Sequence, residues 1–163
     1  MKILSMKTTI FLGAMLSLLV CLMFTGCSNS ETNSTSRGLT DFAHIEEEYL
    51  ATIDSLNWPD GITLPDKLED EDTGASFQVG YGETRASYLW EYSWMKEWLD
   101  TYNTDPERAE KALEELEKAF DMPYMGIDRC DDATRNYLRK NIDKAKLGDP
   151  SGFTESIRAN YAN

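Results

Sequence analysis

From Leu39 onward the chain repeats one pattern, with apolar side chains three and four positions apart and charged residues between them. Phe42, Ile45, Tyr49, Ile53 and Leu56 form the first stripe, and this spacing predicts a helix with one buried face. Thr40 or Asp41 can cap its start. Asn57-Trp58-Pro59-Asp60-Gly61 ends it, because proline cannot continue a helix and Pro-Asp-Gly favours a turn. A second helix, from about Glu83 to Tyr102, carries two stripes. Tyr88, Tyr92, Met95, Leu99 and Tyr102 make one, and Trp90, Trp94 and Trp98 make the other. At ~100° per residue the two together cover about half the circumference, which predicts a central helix touched from several sides.

Asp105 and Pro106 open a third helix with Ala109, Ala112, Leu113, Leu116, Ala119 and Phe120 facing inward. Glu107 with Lys111, and Glu114 with Lys118, form i,i+4 pairs on its outer side. A fourth helix, from about Asp132 to Leu147, has Thr134, Tyr137, Leu138, Ile142 and Ala145 on its inner face, and Gly148 ends it. A last short helix repeats Phe153, Ile157 and Tyr161 every four residues. Between the first two helices lies a long irregular stretch, about residues 57–82, with the acid run Glu69-Asp70-Glu71-Asp72. Its one candidate strand is Phe77 to Val79. The expected fold is therefore all-α, a small bundle of four to five helices filling one domain over 39–163.

The first 38 residues read differently. Lys2 and Lys7 precede a nearly unbroken apolar run from Ile10 to Phe24, and the small residues Thr25 and Gly26 stand directly before Cys27. A basic start, a short apolar stretch and small residues make an export signal. Phe24-Thr25-Gly26-Cys27 resembles the lipobox of bacterial lipoproteins, with Phe24 where the family usually has leucine. The resemblance covers residues 1–27 only. It implies cleavage after residue 26, a diacylglyceryl group on the Cys27 thiol, and an extracytoplasmic protein held to the membrane by that lipid. Where a cell has two membranes, Ser28 after the cysteine implies the outer one. The run also admits a plain secretory signal or an uncleaved membrane anchor, since its fifteen residues fall short of the ~20 that cross a bilayer but Thr8 to Gly26 stretches it to 19. Residues 27–38 are small and polar and read as a flexible tether.

Charge narrows the function. The chain has 29 acidic and 16 basic residues and a formal net charge of −13. Nucleic-acid binders need basic stripes to neutralise phosphate, so no nucleic-acid partner is expected. The acid is concentrated before Arg129; beyond it the basic residues slightly outnumber the acidic ones.

The candidate chemistry is sparse. The acid run fails as a calcium loop, since placing Gly74 at position 6 puts Thr73 at position 5 and Gly80 at position 12. Gly80-Tyr81-Gly82 lacks the third glycine of a dinucleotide loop. His44, Glu47 and Glu48 fall opposite the apolar stripe of the first helix and read as a solvated face, since His44 with Glu48 one turn later gives two metal ligands where three or four are needed. Cys130, among Asp128, Arg129, Asp131 and Asp132, has no evident base or second ligand and reads as structural. No metal and no cofactor is expected.

Glu91 stands out because it projects from the aromatic sector of the second helix. A carboxylate there must be paired or hydrogen-bonded, with Arg85, Arg129, Arg135 or a tyrosine hydroxyl as partners. Otherwise it is an acid with a raised pKa lining a pocket. The functional expectation is a non-catalytic binding or interaction module of the cell envelope, with a protein or peptide partner. The alternative is a small-ligand-binding protein or hydrolase with its pocket around Glu91, Trp90, Trp94 and Trp98. Catalytic motifs such as G-x-S-x-G, H-E-x-x-H and C-x-x-C do not occur.

Overall fold

The structure is a computed structural model that describes residues 38–69 and 71–161. The export signal, Cys27 and most of the tether lie outside the described residues. Among the described residues the fold is an all-α bundle of five helices: α1 (Phe42–Ser55), α2 (Tyr81–Thr101), α3 (Pro106–Glu117), α4 (Asp132–Lys146) and α5 (Ser151–Asn160). Two 3-10 turns, Lys118–Asp121 and Pro123–Met125, link α3 to α4. A two-residue strand β1 (Leu39–Thr40) pairs antiparallel with β2 (Phe77–Gln78), so the candidate strand exists and its partner is the chain entering α1. No helix of the described residues is long and apolar enough to cross a membrane.

The caps follow the sequence. The Asp41, Asp105 and Asp131 carboxylates accept from the backbone N–H three residues on, at 3.1, 3.2 and 2.7 Å. Gly148 leaves α4 with φ of 77°, a left-handed position that glycine takes without strain.

α2 is the central helix, lying against α1 and α3 and touching α5 and the Pro123–Met125 turn. Trp90, Trp94 and Trp98 are buried on it with Met95. The Trp90 and Trp94 indole N–H groups both donate to the Asn57 carbonyl, at 2.8 and 3.1 Å. Trp98 stacks on Tyr102 and meets Phe153 edge-on. This is core packing of aromatics with their polar handles satisfied.

Three expectations need correction. Neither expected ion pair on α3 forms: Lys111 lies over the Trp94 ring, 5.7 Å from its centre, and Lys118 binds Glu115 at 2.6 Å, a carboxylate that is itself buried. Glu48 does not lie on a solvated face, because it reaches across to α2 as described below. Thr134 and Tyr137 are not core, since only Leu138, Asn141, Ile142 and Ala145 of α4 are buried. The first turns of α4 carry exposed side chains, and Thr134 and Tyr137 line a cleft instead of the core.

Candidate functional site

α2 lowers its tryptophans into the core, and the same helix turn carries Glu91 toward the Pro123–Met125 turn. Met122 and Pro123 set that turn, and Tyr124 is buried beneath it. The Tyr124 hydroxyl donates to Glu91 Oε2 at 2.8 Å. Glu91 is only 8% exposed. Burial in apolar surroundings penalises its charged form and pushes its pKa up from 4.5 to about 7, although the Tyr124 bond pulls the other way. The same burial, then the nearby Glu91 charge, hold the Tyr124, Tyr161 and Tyr88 phenols above their usual range.

Glu91 lines a cleft of about 350 Å³. α2 also contributes Arg85 and Tyr88; α4 contributes Thr134, Tyr137 and Leu138; α5 and the residue after it contribute Ser156, Asn160 and Tyr161; Met125 completes the wall. Tyr161 is held in place by its hydroxyl, which donates to the Tyr88 carbonyl at 3.2 Å, and by its ring against Tyr92. Tyr88 packs edge-on against the Tyr124 ring at 5.6 Å. The result is an apolar, aromatic-walled recess with one deep carboxyl, which suits recognition of a small molecule or a protruding side chain.

The arginines proposed as partners for Glu91 are all engaged elsewhere. Arg129 binds Glu83 at 2.5 Å, Arg85 faces Glu71 at 3.4 Å, and Arg135 binds Asp132 at 2.5 Å and donates to the Met125 and Cys130 carbonyls. The tyrosine-hydroxyl reading of Glu91 is therefore the one the geometry realises, together with the raised pKa.

The structure does not bring Glu91 and the tryptophans into one pocket. Trp90 and Trp94 are 1% exposed and line no wall of the Glu91 cleft. Trp98 borders a different cleft of about 480 Å³ between α2, α3 and the end of α4. The aromatic walls around Glu91 are tyrosines. Tyr124 lay in a Pro/Gly-broken segment with no periodic signal, and Ser156 and Asn160 are ordinary helix-surface residues in the sequence. A polar Thr134 on an otherwise apolar stripe was the one legible sign that the inner face of α4 meets something other than core.

His44 lies 3.3 Å from Glu48, whose two carboxylate oxygens accept from Gly80 N–H and Gly82 N–H at 2.7 and 3.2 Å. The pair serves the α2 N-terminus. Among the described residues no three His, Cys, Asp or Glu side chains gather as a metal site would need. Cys130 is a half-buried free thiol beside the Met125 sulfur. Its pKa is raised chiefly by burial, which disfavours the reactive thiolate.

The chain matches no family model, no characterised protein and no solved structure.

Proposed function

We propose that this protein is a lipid-anchored, extracytoplasmic binding module of the cell envelope, and that the Glu91 cleft is its ligand site. The anchor rests on the lipobox-like Phe24-Thr25-Gly26-Cys27 and the apolar run before it. Two or three acyl chains at Cys27 would hold the domain stably, whereas one alone is marginal. The binding role rests on one observation: a nearly buried carboxyl with a single hydrogen-bond partner among the described residues lines a tyrosine-walled cleft. Such a recess offers one fixed polar contact and apolar walls, which is what selective binding requires.

One observation favours a second reading. A carboxyl with a pKa of about 7 is suited to proton transfer near neutral pH, as a hydrolase would use it. Binding without turnover remains the first reading because the polar groups that reach the cleft around Glu91 are hydroxyls, an amide and one arginine.

Two measurements test the proposal. Metabolic labelling with a fatty-acid analogue should tag the wild type and spare Cys27→Ala; equal labelling of both removes the anchor. A library of small compounds screened by thermal shift should yield stabilisers of the wild type that lose their effect in Thr134→Trp, which sets an indole over the cleft mouth. Stabilisers that ignore Thr134→Trp would place the ligand site elsewhere. Crosslinking in intact cells with mass-spectrometric identification would name an envelope partner.

A further inference from the structure

Half of the Glu91 carboxylate is uncommitted. Oε2 accepts from Tyr124, and no other described residue bonds or pairs with this group. Glu91 lines the cleft and keeps 8% of its surface exposed, and no described residue bonds Oε1. Buried carboxylates are stable when a counter-charge or several donors meet them. Here Arg85, Arg129 and Arg135 are held by Glu71, Glu83 and Asp132. The place of the counter-charge at Oε1 is left to a ligand.

The aromatic walls agree with that sign of charge, and the one cation among the lining residues, Arg85, is paired with Glu71. Tyrosine rings carry a negative face that attracts cations within about 6 Å of the ring centre. Two of the few large apolar side chains left exposed, Tyr88 at 40% and Tyr137 at 41%, stand on different helices and both line this cleft. The whole chain is also acidic, with a net charge of −13, which raises the local concentration of cations.

We propose that the cleft binds an organic cation, an ammonium on a compact apolar body, with its nitrogen at Glu91 Oε1 and its body between Tyr88, Tyr137 and Leu138. This rests on the reading of the cleft as the ligand site and adds the class of ligand. The ammonium can belong to a free amine or to a lysine side chain of a partner, since both present the same group on an apolar stem.

Binding is linked to protons. The cation takes the ionised carboxylate, and ionisation rises with pH through about 7. The other titratable or charged groups facing the site are Arg85, Tyr88, Tyr124, Tyr137 and Tyr161, with the Cys130 thiol nearby. Burial pushes Tyr88, Tyr124, Tyr161 and Cys130 upward, away from neutral pH, so they stay protonated while Glu91 titrates.

The test uses the full chain in non-ionic detergent and isothermal titration with three matched probes: phenethylammonium, phenethyl alcohol and phenylacetate. A parallel arm uses a blocked lysine dipeptide, to separate a free amine from a protein-borne one. Phenethylammonium or the lysine peptide should bind at pH 8 and weaken about tenfold for each pH unit below 7. Glu91→Gln, which keeps the shape and an acceptor for Tyr124, should lower that affinity at least ~30-fold and flatten its pH profile. Equal or tighter binding of the alcohol or of phenylacetate, lost in Thr134→Trp, would overturn the cation while leaving the cleft a ligand site. Affinity independent of pH would also overturn it. No binding of any probe would overturn both readings.

Discussion

The Tyr124 hydroxyl and the Glu91 carboxylate, 33 residues apart in sequence, meet at 2.8 Å in a buried contact between α2 and the Pro123–Met125 turn. This bond holds the wall of the cleft and fixes the orientation of its deepest polar group. The cost of burying its acceptor depends on pH, because Glu91 is far easier to bury neutral than charged.

Glu91 should cost stability as pH rises. In the unfolded chain the carboxyl ionises near 4.5, while in the fold it holds its proton to about 7. Between those values the folded state binds more protons than the unfolded one, so unfolding becomes easier with rising pH. At about 1.36 kcal/mol per pH unit the loss reaches about 3 kcal/mol and then levels off. Glu91→Gln removes it. Urea unfolding of both proteins from pH 4.5 to 8 should show the variant gaining on the wild type across this window. A constant difference would mean that Glu91 titrates as an ordinary surface acid.

Tyr124→Phe should remove the one donor that the described residues give the carboxylate. The expected loss is about 2 kcal/mol at pH 8, where Glu91 is charged, and less at pH 5, where it is neutral. The Glu91 pKa should rise further, because the bond favours the ionised form. A carbon-13 NMR titration of labelled glutamate reads this directly, and an unchanged midpoint would contradict the contact.

Gly82→Ala should damage the α1–α2 crossing. A Cβ at residue 82 would sit 1.8 Å from the Ile45 carbonyl oxygen, so the two helices would have to part. A cost of about 3 kcal/mol or more is expected, at the upper end of overpacking. Thermal unfolding checks it; a melting point within a degree of the wild type would mean that the backbones do not approach so closely.

Glu48→Ala should loosen the start of α2. Glu48 on α1 accepts from Gly80 and Gly82 N–H, so one helix supplies the cap of the next. Its carboxylate also faces the positive end of the α2 dipole. Removal should cost about 1–2 kcal/mol, and Glu48→Gln less. Hydrogen exchange at the Gly80 and Gly82 amides should speed up in Glu48→Ala ahead of the rest of α2.

Much of the bundle was legible in the sequence because helices are local. Capping by Asp41 and Asp105 and the stop at Gly148 involve neighbours a few positions away, and the stripe Ile45, Tyr49, Ile53 needs only helical periodicity. The burial of Trp90, Trp94 and Trp98 was likewise readable from their spacing. The candidate site was legible in one residue, Glu91, as an acid out of place among aromatics. Its surroundings were not. Periodicity says which way Thr134 and Tyr137 point and cannot say whether core or a cleft lies there.

The sequence by itself determined the helices, their caps, the acidic surface and the expectation of a lipid at Cys27, because each depends on residue type and short spacing. Tertiary structure alone decided that Tyr124 rather than an arginine meets Glu91, that Glu48 caps a helix it does not belong to, and that tyrosines rather than tryptophans wall the cleft. These are contacts across tens of residues. They are set by how closely backbones approach at points such as Gly82 and by which cations are already taken by nearer acids, and neither leaves a periodic trace in the chain.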